Sequence, residues 1–416
     1  MSSWFDEARL GLFVHWGHYA TAGWEASWPL VGGVATLPHG QRLDVETYHA
    51  NAKRFRPKPN APAAWVEAAA RAGARYAIMT TRHHDGFAMW PTATSEYSIE
   101  LGGYAGDPVR EFVEACRTHG LRIGFYYSLP DWHHPDYPAY TEADKPYVFG
   151  RYPAARPDQW ERYMAYLEAQ LQELLTHYGP VDIVWFDGAW ERTQAQWQCD
   201  RIEHIVRTLQ PGVLINDRLP DHGDYATPEQ FIPPKALPGR WETCLTMNES
   251  WGYNPGDTSY KSPSELIHTL CEVAGRGGNL LLNVSPDGNG DLVPEQRTRL
   301  EAIARWTRRH GDAVFSTDPG LEPWQFYGPS TRKANTLYAH LLMKPVERVA
   351  IRGVPVNHVR SVKALGTGRD LRFDRRIPVT DTLFGTDPRG ELLVTIPTAD
   401  QEPDATVIAV EFDIPF

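Results

Sequence analysis

Val181-Asp182-Ile183-Val184-Trp185-Phe186-Asp187-Gly188-Ala189-Trp190 reads as a short apolar strand that ends in an aromatic pair, an aspartate and a glycine. β-Branched and aromatic residues favour a pleated strand. A carboxylate at the tip of a buried strand is costly unless something beyond the strand uses it. Asp187 is therefore the first candidate for a catalytic nucleophile.

Runs of the same kind recur on both sides of this stretch. Segments 10–15, 75–80, 122–127, 213–216, 240–243 and 279–284 also read as buried strands. Helical patterns lie between them. In one, Trp160, Met164, Leu167, Leu171, Leu174 and Tyr178 form a single stripe. Asp107-Pro108 reads as a helix cap with proline at the first position, Ser262-Pro263-Ser264-Glu265 as a capping box, and Gly277-Gly278 as a helix stop. This β/α alternation predicts a parallel sheet with helical crossovers. A closed (β/α)8 barrel and an open doubly wound sheet both fit it. No glycine-rich dinucleotide fingerprint or phosphate-loop lysine follows a strand, which weakens the nucleotide-binding version. His15, His83, His84, Asp187, Asn216 and Glu242 fall at strand ends, where a barrel builds its catalytic face.

Past residue 317 the pattern changes to short alternating runs at 336–342, 346–352, 391–396 and 405–412, broken by Gly, Pro and Asp turns. The expected organisation is a catalytic barrel over 1–317 and a small β-sandwich over 318–416.

Composition excludes several classes. The net charge of -11 over 416 residues argues against nucleic acid and anionic membranes as partners. No apolar run reaches the roughly 18 residues a membrane helix needs. The start, Met1-Ser2-Ser3-Trp4-Phe5, lacks the apolar core of a secretory signal, so a cytoplasmic location is expected. Cys116, Cys199, Cys244 and Cys271 are widely spaced and read as free thiols. The composition leaves self-association open. Fifteen tryptophans and 19 tyrosines are a surplus that suits sugar binding as well as core filling.

The polar groups at strand ends form a recognisable set. Phe13-Val14-His15-Trp16-Gly17, Arg82-His83-His84-Asp85-Gly86-Phe87, Tyr126-Tyr127-Ser128, Asn216-Asp217-Arg218, Thr227-Pro228-Glu229 and Trp241-Glu242 would converge on one cleft with Asp187. Imidazole, indole, phenol and guanidinium suit a ligand with several hydroxyls. Two carboxylates in such a cleft suit glycoside hydrolysis, one as nucleophile and one as acid/base. A metal is not expected, because adjacent residues such as His83 and His84 point to opposite faces of a strand, and no H-E-x-x-H helix is present.

Taken together, the motifs resemble those of the family-29 glycoside hydrolases, the α-L-fucosidases. The carriers are Gly11 to Gly17, His83 to Phe87, Trp185-Phe186-Asp187-Gly188, Asn216-Asp217-Arg218, Trp241-Glu242, Ser250-Trp251-Gly252-Tyr253 and the stretch 275–289. The resemblance implies an irregular TIM-like (β/α)8 barrel, a C-terminal β-sandwich, no metal or other cofactor and a retaining double displacement. It implies Asp187 as nucleophile, with His15, His83, His84, Trp185 and Arg218 on the sugar hydroxyls and Tyr127, or its neighbour Tyr126, lining the pocket. Phe87 and Trp251 are candidates for the patch against the fucose methyl. Many members carry signal peptides, and this chain departs from them. The substrate expected is a fucosylated oligosaccharide.

The acid/base is not fixed by one motif. Glu229 stands on an expected loop, from which it would approach the leaving group, whereas Glu242 stands on an expected strand and suits a fixed partner. Both stay candidates, with Glu229 preferred; Glu25 is a weaker third. Two other functions fit the same residues: a non-catalytic fucose-binding protein, and a hydrolase of a similarly shaped sugar such as an L-galactoside.

Overall fold

Strands β1 (Leu10–Val14), β2 (Tyr76–Arg82), β3 (Arg122–Ser128), β4 (Ile183–Asp187), β5 (Leu214–Ile215), β6 (Glu242–Thr246) and β7 (Asn279–Val284) form one parallel sheet in the order β5-β4-β3-β2-β1-β7-β6. The computed structural model describes residues 4–34, 42–384 and 389–416. The start of the chain, read above for a signal, thus has residues 1–3 outside the described residues. All seven predicted strands are present, and 279–284 has the predicted bounds.

Between β5 and β6, residues 224–230 close the ring. Isolated parallel bridges join Asn216 to Tyr225, Ala226 to Trp241 and Glu229 to Cys244. Backbone bonds from Asp217 N to Tyr225 O (3.0 Å), Glu242 N to Ala226 O (2.9 Å) and Gln230 N to Cys244 O (3.0 Å) hold this stave on both edges. The result is an irregular (β/α)8 barrel in chain order. The segment expected as a loop around Glu229 is therefore its sixth stave. Pro228 within it and Pro233-Pro234 soon after withhold ladder donors, which keeps the stave irregular.

Alternation along each strand sorts the side chains. Phe13, Tyr76, Ile78, Tyr126, Ile183, Trp185, Cys244 and Leu281 pack inside the barrel. Leu12, Val14, Phe125, Tyr127, Val184 and Phe186 face the surrounding helices. Burial on both faces explains why these strands are apolar throughout. The helices Ala61–Ala72, Pro108–His119, Pro157–His177, Cys199–Leu209, Pro263–Gly275 and Pro294–His310 form the outer layer. Asp107 accepts from Arg110 N (3.0 Å) and Ser262 from Glu265 N (3.1 Å), so both predicted N-caps form, the second as one half of the expected capping box. Of the predicted stripe, all six members are buried.

From Asp318 onward two antiparallel sheets face each other. The larger contains Ser330–Lys333, Thr336–Leu341, Thr406–Phe412 and Val359–Ala364; the smaller contains Arg348–Pro355, Arg389–Thr395 and Phe373–Arg376. Leu337, Ile351, Leu392, Val394, Ile408 and Val410 fill the space between them. This is the expected β-sandwich. Its larger sheet leans on the barrel through Trp306 Nε1 donating to Ala405 O (2.9 Å) and Thr331 Oγ1 to Ala313 O (2.6 Å).

Candidate active site

The C-terminal ends of the barrel strands surround a cavity of about 290 Å³. That is at the small end for ligand pockets and suits one sugar ring better than a chain. His15 follows β1, His83 and His84 follow β2, and Asp187 ends β4. With Phe13, Tyr126, Trp185, Arg218, Glu229, Cys244 and Trp251 they line the pocket.

Asp187 has a partner on each oxygen. Tyr126 OH donates to Oδ2 (2.7 Å) and Arg218 Nη1 to Oδ1 (2.8 Å). Burial, then the Asp187 charge, push the Tyr126 hydroxyl well above its usual range, so it stays a donor. The other arm of Arg218, Nη2, donates to Glu229 Oε2 at 2.5 Å. One guanidinium thus spans both carboxylates. Burial opposes its charge, but Asp187 and Glu229 outweigh that and raise its pKa. Its Cζ lies 4.6 Å from the centre of the Trp185 ring. Gly188 is required beside Asp187: its φ is +80°, and a Cβ there would meet Pro130 Cδ at 2.3 Å.

The three imidazoles are neutral. Burial, reinforced by neighbouring cations and imidazoles, lowers His15, His83 and His84 each to about 3. Their hydrogens can be assigned from the bonding network. Asn283 Nδ2 donates to Trp251 O (2.9 Å), so its Oδ1 faces His15 Nδ1 (2.8 Å), which must carry the hydrogen. Ser128 Oγ donates to Pro130 O (2.7 Å), so it accepts from His84 Nδ1 (2.7 Å). His84 Nε2 is then a lone pair, buried and without a hydrogen-bond partner among the described residues, 3.7 Å from Asp187 Oδ2. Ser27 Oγ accepts from Asp85 N (2.9 Å) and lies 2.5 Å from His83 Nδ1, where its own hydrogen can go. That leaves His83 Nε2 as a donor. The pocket thus offers acceptors at two imidazoles and a donor at the third, a set that matches hydroxyl groups rather than a charged ligand.

Several expectations are corrected by placement. Tyr127 faces away from the pocket: its OH donates to Gln170 Oε1 (3.0 Å) and its ring carries Arg82 at 4.2 Å. Tyr126 holds the pocket position because it pairs in register with Trp185, which points inward. Trp185 offers the pocket a ring face and not its N–H, which donates to Glu242 Oε1 at 2.8 Å. Glu242 is fully buried in a lower layer of the barrel, where Tyr76 OH also donates to it (2.6 Å). Burial raises its pKa to about 7. It does not line the pocket; Cys244, two residues further along β6, does. Glu25 is equally remote, accepting from the backbone N–H of Trp251 (2.7 Å) and Gly252 (3.0 Å) and so fixing the loop that carries Trp251. Phe87 packs on His18, Phe55 and Tyr97 instead of the pocket. Asn216 serves the sheet, exchanging two 2.9 Å bonds with the Phe186 backbone just past the end of β5.

Trp28 and Phe149 on the pocket wall, and Ser27 on His83, were not singled out by sequence; Trp190 and Ser128 stood in the quoted strand-end stretches, but without the roles they take here on the pocket wall and on His84. Among the described residues no group of three His, Cys, Asp or Glu side chains is arranged to hold a metal. No helix among them is long and apolar enough to cross a membrane.

Residues 1–312 match the family Alpha-L-fucosidase. The chain belongs to that family. It is a glycoside hydrolase in that lineage. It is 30% identical to a tissue alpha-L-fucosidase of Mus musculus over 99% of this chain and 90% of the relative. The Homo sapiens tissue alpha-L-fucosidase is 29% identical over 95% and 85% of the two chains. Among solved structures, alpha-L-fucosidase isoenzyme 1 from Paenibacillus thiaminolyticus superposes with a TM-score of 0.83 at 34% identity, covering 99% of this chain and 98% of that one. A GH29 alpha-L-fucosidase from Bacteroides thetaiotaomicron, solved as a trapped covalent intermediate with 2-fluoro-fucosyl fluoride, gives 0.78 at 26% identity over 98% and 94%.

Proposed function

We propose that the protein is an exo-acting, retaining α-L-fucosidase that releases terminal α-linked L-fucose from oligosaccharides or glycoconjugates. The observation that carries this is the single guanidinium of Arg218 bound to both Asp187 and Glu229 at the mouth of a one-sugar pocket. A short carboxyl separation of about 5–5.5 Å is what retention needs. Asp187 attacks the anomeric carbon as the glycosidic bond breaks, and Glu229 gives its proton to the departing oxygen. Glu229, now a carboxylate, takes a proton from water as that water attacks the anomeric carbon and frees Asp187. Oε1 of Glu229 carries no hydrogen bond among the described residues and is the oxygen available for this exchange. The neutral imidazoles hold the sugar hydroxyls. Phe13 and Trp251, 6.0 Å apart between ring centres, give an apolar wall for the C6 methyl group.

The stereochemistry of the first product tests this. Proton NMR during cleavage of 4-nitrophenyl α-L-fucoside should show α-L-fucose before mutarotation. First appearance of the β anomer, or no cleavage, overturns the reading.

A further inference from the structure

Glu191 is a buried carboxylate that the chemistry above does not use. It is 3% exposed and lies directly after Trp190, one turn beyond β4. Four donors surround it. Trp132 Nε1 (3.1 Å), Tyr140 OH (2.9 Å) and Tyr147 OH (2.8 Å) reach Oε1, and Tyr137 OH reaches Oε2. Such a set fixes the long connection after β3 against the start of the connection after β4. The product is a wall of rings beside the sugar pocket. Trp190 Nε1 donates to Tyr147 OH at 2.8 Å, so the indole has no N–H left to offer. Its ring stands edge-on to His84, 6.0 Å between centres. Phe149 sits 5.6 Å from Trp190 and 5.3 Å from Tyr147, yet is 54% exposed. Both Phe149 and Trp190 line the same cavity as Asp187 and Glu229.

An exposed phenylalanine on a rigid frame, continuous with a sugar site, has one apolar face unsatisfied. We infer that Phe149 and Trp190 form the subsite for the leaving group, and that it takes an aglycone presenting a flat apolar face: an aryl ring or the C–H face of a pyranose. With the indole N–H consumed, this platform selects by stacking and shape and not by hydrogen bonds. It should therefore be tolerant of hydroxyl configuration in the aglycone and poor for aglycones without a ring.

The inference rests on the fucosidase reading, and the test separates the two. kcat/KM is measured for 4-nitrophenyl α-L-fucoside and methyl α-L-fucoside, with the inhibition constant of free L-fucose, in the wild type, Phe149→Ala, Trp190→Ala and Phe149→Trp. Phe149→Ala is half exposed at a surface turn, and its fold is checked by thermal melting. The aryl substrate should lose roughly three- to tenfold more than the methyl substrate in both alanine variants, the usual worth of one aromatic contact. Phe149→Trp should keep the wild-type ratio or raise it. Parallel losses on both substrates and on L-fucose binding, or no loss on either, overturn the platform. A wild type that cleaves neither fucoside overturns the fucosidase reading and the platform with it.

Discussion

The indole nitrogen of Trp185 donates to the buried carboxylate of Glu242 at 2.8 Å, beneath the floor of the sugar pocket. The two carboxylates that the sequence left in competition are thereby separated by layer. Glu242 supports the aromatic floor from below; Glu229 faces the cavity. Glu242→Gln keeps an acceptor for the indole and should lower kcat/KM by no more than about tenfold, with equal effect on natural and activated substrates. Glu229→Gln should cost several powers of ten on a fucosyl disaccharide and far less on a 2,4-dinitrophenyl fucoside, whose departure needs little protonation. Azide should give the retained fucosyl azide. The reverse pattern between the two variants would return the acid/base role to Glu242.

Asp187→Gly removes the proposed nucleophile but leaves Arg218 paired to Glu229. Turnover should fall by several powers of ten, because the covalent route is lost. Azide, an anion entering beside an arginine that has lost one partner, should partly restore it and yield the inverted fucosyl azide. Near-normal activity without azide would remove Asp187 from the chemistry.

Tyr126 and Tyr127 are neighbours with opposite assignments, which gives an internal control. Tyr126→Phe deletes the hydrogen bond to Asp187 Oδ2 and should reduce kcat by about ten- to a hundredfold, the range for a charge-assisted bond of about 1.5–3 kcal/mol. Tyr127→Phe deletes the bond to Gln170 and should leave kcat and KM unchanged while costing about 1 kcal/mol of stability. Urea denaturation and steady-state kinetics on both variants check this. A kinetic defect in Tyr127→Phe would contradict its outward placement.

Stability should pass through a maximum near pH 6.5. His15, His83 and His84 are lowered to about 3, so the stability they contribute is present above their unfolded value of about 6.5 and is lost as pH falls. Glu25, raised by burial to about 8, and Glu242, raised to about 7, behave oppositely. Their stabilising effect is complete below about 4.5 and disappears as pH rises through those values. His340 and His49, lowered by burial to about 3 and about 4, act with these three, and Glu191, raised by burial, acts with the two glutamates. Between pH 4.5 and 6.5 the histidines outweigh the glutamates, so stability still climbs with pH; above 6.5 the glutamates dominate and it declines. Melting temperatures from pH 4 to 9 test this. Glu25→Gln should flatten the alkaline arm, and a wild-type melting temperature still rising at pH 8 would refute the assignment.

Much of this was visible in the chain itself. The strands, the helix stripe and both caps follow from local chemistry, and the histidines, Asp187 and Arg218 were marked by their position at strand ends. What escaped were properties of pairing. Whether Tyr126 or Tyr127 points inward depends on register with β4, and a single tyrosine pair carries no register. Glu229 lies on a stave too short and too proline-interrupted to show alternation, so it read as loop. Glu242 sits at a strand start, and the sequence does not say at which level of a barrel a strand begins. Phe149 belongs to no motif; only the folding of a long connection onto Glu191 brings it to the pocket.

The stave at 224–230 has a further consequence. Three isolated bridges hold it, where β6 on one side has a five-residue ladder with β7. Inserting or deleting a residue in a ladder would turn every later side chain over, but here the disturbance stops at the next bridge. Glu229, the proposed proton donor, therefore stands on a part of the ring that can be rewritten locally. Whoever wishes to retune this catalyst, for instance to hand fucose to an alcohol in place of water, has there a replaceable part in an otherwise rigid frame.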